Sequence, residues 1–234
     1  MNLPVAIFQK IRLKFKFGLV MEVLLDQLAD RGLTINLYYV FQEGLFDEKP
    51  KEFGREFGEY ETTFLGPEDM KKIGRIDGRD ITEATLLQRL EKGNICFAVK
   101  IDDKIVGFTW CDVDVFNHPA RYRFKLKEKE AYLFDAYILK PYRGLNLAPF
   151  MRYRFYQELG KMGLNVLYSV SNYFNTPAIR FKNKLGARVI KLCFYIRMMK
   201  RFHWHWIIKS YEMECPQQAF QGGPERWEGE IPQL

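Results

Sequence analysis

Residues 135–148 read DAYILKPYRGLNLA. Apolar, strand-forming residues run into Pro141, a short loop carries Gly144 and Asn146, and a helix is expected to open at Pro149. Proline suits the first helical turn, where its missing N–H leaves no bond unmade. The first turn of a helix has free N–H groups and the positive end of the helix dipole, so strand, loop and helix start together form a cradle for an anion. Gly144 and Asn146 are residue types that reach the left-handed backbone region such a loop needs.

A second segment, residues 175–187, reads NTPAIRFKNKLGA. Asn175 ahead of Thr176 and Pro177 is a good helix N-cap. The first segment resembles the pyrophosphate loop of the GNAT superfamily of N-acetyltransferases, with Arg143 in the leading basic position, Asn146 where the family prefers glycine, and Ala148 in the last small position. The second resembles the family's N-x-x-A helix followed by K-L-G-A. The two occur in the family's order and at its usual separation, and the likeness covers residues 60 to about 212.

The resemblance implies an α+β fold, a mixed and mostly antiparallel sheet with helices on both faces. It implies transfer of acetyl from acetyl-coenzyme A, as co-substrate, to a primary amine in a ternary complex, without a metal. The pantetheine arm would pair with the main chain of Tyr137, Ile138 and Leu139. Pyrophosphate would rest on Arg143, Gly144, Leu145, Asn146, Leu147 and Ala148, and Asn175 would touch the cofactor. The position where relatives often carry a tyrosine is Lys182, which would meet a coenzyme phosphate or solvent. Tyr173 is the nearest phenol left to protonate the departing thiolate, and solvent is the alternative. Two further readings stay open: a donor with a longer acyl chain, on coenzyme A or an acyl carrier protein, and a coenzyme-binding module without turnover.

Asp135 stands in an apolar strand, where an unpartnered carboxylate is unfavourable. It reads either as base or water-organising group for the acceptor amine, or as a structural carboxylate with its own partners. Strict alternation would place it on one face with Leu133 and Tyr137, and Phe134, Ala136 and Ile138 on the other.

Outward from this centre, residues 1–58 read as an extension: a basic amphipathic helical stretch, a strand near 35–41 and a charged linker over 43–58. Ile7, Phe8, Ile11 and Phe15 alternate with Lys10, Arg12, Lys14 and Lys16, so residues 1–33 either pack on the domain or contact a membrane or protein partner. Residues 59–212 form the acetyltransferase-like domain, and 213–234 a polar tail rich in Pro and Gly. The aspartates at 102 and 103 mark a hairpin turn. The alternating run Arg121, Tyr122, Arg123, Phe124, Lys125, Leu126 and Lys127 reads as a solvated loop, or as a strand or lid that recruits an acidic substrate.

The net charge of +7 suits anionic partners, which include coenzyme phosphates, but no recognised nucleic-acid motif accompanies it. Four cysteines without a CxxC pair suit a reduced, cytoplasmic protein and make a disulfide or zinc framework unlikely. His203 and His205 share a strand face without a third ligand in the nearby sequence, and Trp204 and Trp206 on the other face read as core or pocket wall.

Overall fold

The computed structural model describes residues 20–44, 60–76, 79, 81–118, 122–199 and 202–211. Helix α1 (Val20–Asp30) leads into strand β1 (Leu33–Glu43). Then come β2 (Glu61–Phe64), α2 (Pro67–Gly74), α3 (Glu83–Glu91), β3 (Ile95–Ile101) and β4 (Lys104–Asp112). The short strands β5 (Val115–His118) and β6 (Tyr122–Lys125) precede β7 (Glu130–Ile138). The described residues end with α4 (Leu147–Lys161), β8 (Val166–Asn172), α5 (Thr176–Lys184), β9 (Arg188–Met198) and β10 (Phe202–Ser210).

Local chemistry sets these elements. Pro67 occupies the first turn of α2, and Thr82 caps α3 by accepting from the Thr85 amide at 3.2 Å. Asn175 caps α5 by accepting from the Ala178 amide at 3.1 Å. Asp102 and Asp103 both take positive φ, 47° and 60°, as the tight β3–β4 hairpin requires.

Eight strands form one sheet in the order β10-β9-β1-β8-β7-β4-β3-β2. Only β7 and β8 pair in parallel; every other neighbouring pair is antiparallel. Helix α4 covers one face, packing Phe150, Met151, Phe155 and Leu159 against Phe97, Val99, Val106, Leu133 and Ile138. On the other face of β3 and β4, Met70, Ile73 and Leu86 of α2 and α3 meet Cys96, Ala98, Phe108 and Trp110. The β5–β6 hairpin lays Phe116, with Phe124 beside it, over Tyr38, Tyr168 and Tyr195. The sheet therefore has helices on both faces, as expected. Of the readings of the basic run, the strand is the one the fold has: Tyr122–Lys125 is half of a β-hairpin.

Strand β1 departs from the sequence grouping. The segment placed with the N-terminal extension lies inside the sheet, antiparallel to β8 on one side and β9 on the other. Tyr38, Val40 and Phe41 are fully buried there. Alternation identifies a strand but says nothing about partners this distant in sequence. The stripe at residues 7–15, most of the linker and the tail from 213 lie outside the described residues.

Glu43, at the end of β1, is completely buried. Its carboxylate accepts from the hydroxyls of Tyr156 and Ser169, with Arg152 Nε at 3.5 Å and Lys182 Nζ at 3.7 Å. Burial alone would raise its pKa; the charges of Arg152 and Lys182, with the two hydroxyls, outweigh that and hold it below the usual value. This network ties β1 to α4, β8 and α5.

Candidate functional site

The parallel strands β7 and β8 pair only over Glu130–Leu133 against Val166–Ser169. Beyond that point β8 continues beside β1 as far as Asn172, and β7 continues beside β4 as far as Ile138. The two strands thus part in a V. A cleft of about 930 Å³ opens at this place, with Arg89, Asp112, Phe134, Asp135, Ser171 and Asn175 among its walls.

Strand β7 carries a bulge beside the opening. Trp110 faces Phe134 and Phe108 faces Tyr137, so Asp135 and Ala136 together oppose Thr109. Asp135 takes φ 47°, in the left-handed region. The extra residue reverses the alternation expected from the sequence. Leu133 and Ile138 pack under α4, whereas Phe134 and Tyr137 pack with α2 and α3. Opposite the bulge region, a Cβ added at Gly107 would lie 2.4 Å from Ile138 Cδ1 and 3.2 Å from the Tyr137 carbonyl oxygen. A side chain there would require Ile138 and the Tyr137 carbonyl to shift.

Both oxygens of Asp135 are taken. Arg79 Nη2 donates to them at 2.7 and 2.8 Å, and Arg89 Nη1 donates to Oδ2 at 2.6 Å. The guanidinium of Arg79 lies over the rings of Phe108 and Tyr137, and that of Arg89 over Trp110 and Phe134. Two arginines stacked on four aromatic rings thus clamp the bulge through one carboxylate. Neither arginine stood out in the sequence, because no local spacing links Arg79 and Arg89 to a strand so far along the chain.

The loop after β7 has the expected shape, with one shift. A single 3-10 turn, Lys140–Tyr142, precedes it, and α4 begins at Leu147 rather than Pro149. Gly144 has φ +87° and Asn146 φ 56°. Among the described residues, the amides of residues 144–148 make no hydrogen bond to a backbone carbonyl; the helix's own pattern begins with Phe150 donating to Asn146. These amides sit at the positive end of a 15-residue helix and fit a pyrophosphate. Asn146 also accepts from Lys184 Nζ at 2.8 Å, which brings the exposed end of α5 to the loop. Arg143 folds back, its Nε donating to the Ile138 carbonyl at 3.0 Å and its guanidinium 5.2 Å from the Tyr137 ring centre. The Leu139 amide is likewise engaged, by the Val106 carbonyl at 2.9 Å. Of the main-chain groups expected to pair with a pantetheine arm, these two already have partners.

Lys182 is corrected outright. It neither reaches the loop nor meets solvent: it is 2% exposed, donates to the Val170 carbonyl at 2.9 Å and lies over the Phe41 ring. The phase of α5 turns residue 182 into the core and residue 184 out toward the loop. Burial, opposed by Glu43 and reinforced by Arg152, lowers its pKa to about 7.

Tyr173 follows Asn172, the last cleft-lining residue of β8, and is itself not part of the cleft wall. Its ring lies 5.2 Å from that of Tyr39 on β1. Burial, followed by the charge and hydrogen bond of Tyr173, raises the Tyr39 pKa, so that phenol keeps its proton. Cys111 and Cys193 are buried strand residues whose thiols burial pushes up to about 12 and about 11, which leaves them inert. His205 Nε2 lies 2.7 Å from the Tyr38 hydroxyl, and no metal-holding group of His, Cys, Asp and Glu occurs among the described residues.

The sequence profile of the acetyltransferase (GNAT) family matches residues 34–187. The chain belongs to that family. Several solved structures share its fold. One is a GCN5-related glucosamine N-acetyltransferase region of a fungal multi-domain β-N-acetylglucosaminidase, with TM-score 0.52, 11% identity, 76% of this chain and 22% of that one. A second is a tandem GNAT protein of the clavulanic acid biosynthesis pathway, with TM-score 0.51, 13% identity, 76% of this chain and 55% of that one. A weaker likeness is to the ribosomal-protein-S18-alanine N-acetyltransferase of Escherichia coli, with TM-score 0.44, 18% identity, 54% of this chain and 76% of that one. No curated protein matches the sequence.

Proposed function

We propose that the protein moves an acetyl group from acetyl-coenzyme A directly to a primary amine, with both substrates bound together. The observation that carries this reading is the V between β7 and β8, with the loop beyond its open end, where among the described residues the amides of residues 144–148 make no backbone hydrogen bond. A pantetheine arm is an extended chain with amide groups and fits beside a strand edge that has lost its neighbour. The diphosphate fits the helix start, with Arg143 and Lys184 adding positive charge. The acceptor enters through the cleft and its nitrogen attacks the thioester carbonyl. The carbon–sulfur bond then breaks, the nitrogen gives up one proton to solvent and the sulfur takes one. The Tyr39–Tyr173 pair, reached past Asn172, is the nearest phenolic donor to that end of β8.

Asp135 serves here as a positioning residue. Its lone pairs already accept from two guanidinium groups, so its contribution is to hold the bulge and the two arginines in place. A small amine is the proposed acceptor, because the cleft beside Asp135 is open to a small molecule.

A thermal-shift panel of acetyl-, longer acyl- and free coenzyme A tests the donor. Ligands that bind only the folded state raise its melting temperature. Acetyl-coenzyme A is expected to stabilise the protein and to release free thiol once an amine acceptor from a screened panel is added. Stabilisation by long-chain acyl-coenzyme A alone would overturn the acetyl assignment, and no stabilisation by any of them would overturn coenzyme binding.

A further inference from the structure

Among the described residues, strand β10 lies at the end of the sheet with β9 as its one sheet neighbour. Its outer edge is strongly apolar. Phe202, Trp204 and Trp206 alternate along one face and are 52%, 44% and 48% exposed, and Met199 in the preceding turn is 76% exposed. Met198, Ile207 and Ile208 add further exposed apolar surface. Aromatic side chains left in water along a whole strand mark a contact surface rather than a core. This corrects the sequence reading of both tryptophans as core or pocket wall.

The charge of the same hairpin is one-sided. Residues 188–211 include Arg188, Lys191, Arg197, Lys200, Arg201 and Lys209, and no Asp or Glu. The first acidic residue of the whole chain is Glu22, so the segment carrying Lys10, Arg12, Lys14 and Lys16 is acid-free as well. That segment leads into α1, and the turn after α1 meets the β9–β10 turn directly, the Met199 amide donating to the Gly32 carbonyl at 2.8 Å.

We propose that the β9–β10 edge docks on a lipid bilayer carrying anionic headgroups. Tryptophan and phenylalanine insert at the headgroup level, and lysine and arginine gain from the negative surface potential. A second copy of the chain fits less well, because an acid-free strand pairing with itself brings cation toward cation. Single-stranded nucleic acid also fits less well. It stacks bases on open ring faces, whereas Phe202 and Trp204 stack on each other at 6.3 Å and Trp206 lies against Phe194 at 5.7 Å.

Flotation of the full chain with vesicles tests this. Protein is expected to float with equimolar phosphatidylcholine and phosphatidylglycerol, and to stay behind with phosphatidylcholine alone. Added salt is expected to weaken the binding. Brominated lipid is expected to quench the tryptophan emission. The exposed double variant Trp204→Ser with Trp206→Ser is expected to melt as cooperatively as wild type and to lose about tenfold or more of its vesicle partition. Four results would overturn the proposal: no flotation with either vesicle, wild-type partition in the double variant, a dimer that the double variant dissolves, or displacement of the vesicles by a single-stranded oligonucleotide.

Discussion

Replacing Lys182 with methionine tests the buried charge network and its pH dependence. One carboxylate, Glu43, lies between two cations, and Arg152 cannot give up its proton. Burial first, and then the charge of Arg152, lowers the Lys182 pKa to about 7 from the ordinary 10.5 against the pull of Glu43. As pH drops, the unfolded chain takes a proton on this lysine near 10.5 and the folded chain only near 7. Between those values the unfolded state holds the extra proton, so this group makes stability rise with pH across the window and adds no slope below or above it. At about 1.4 kcal/mol per pH unit, the three units from about pH 7 to about pH 10 correspond to at most about 4 kcal/mol. Methionine fills similar volume without charge, and it leaves the Val170 carbonyl without its donor, a loss of about 1 kcal/mol. The variant is therefore expected to be slightly less stable than wild type near pH 10 and more stable near pH 7. Urea unfolding followed by circular dichroism over a pH series measures both curves. Other titrating groups are common to the two proteins and cancel in the difference. Parallel curves across the window would refute the assignment of Lys182 as a buried, deprotonating cation.

Asp135→Asn removes one charged partner from two arginines and is expected to lower stability by about 2–3 kcal/mol, by urea unfolding. Transfer is expected to slow while the acid limb of the rate–pH profile stays in place; loss of that limb would instead mark Asp135 as the base. Gly107→Ala sets a methyl group against Ile138 Cδ1 and the Tyr137 carbonyl and is expected to destabilise the protein by about 1–3 kcal/mol. An unchanged melting temperature would show that the bulge accommodates a side chain there.

The parts of the fold legible in the sequence are those fixed by neighbouring residues. The Asp102–Asp103 turn, the cap at Asn175 and the left-handed Asn146 each follow from local backbone preference, and all occur where expected. What the sequence hid depends on distant partners. The place of β1 is set by pairing with β8 and β9, which alternation does not encode. The bulge at Asp135 depends on a register shift against β4, and it reversed the side-chain facing deduced for Tyr137. Lys182 looked solvent-facing because lysine usually is; its burial follows from Glu43, a residue on a strand assigned to another part of the chain. The arginines that hold Asp135 were illegible for the same reason.

The central claim is that the loop between β7 and α4 holds the diphosphate of the coenzyme. Calorimetric titration of acetyl-coenzyme A into wild type and Ala148→Asp tests it most directly. Residue 148 lies in the first turn of α4, where a carboxylate would repel the diphosphate yet favour the helix itself. The account predicts clear binding to wild type and at least about tenfold weaker binding to the variant at unchanged folding stability. Equal affinity in the two proteins would contradict it.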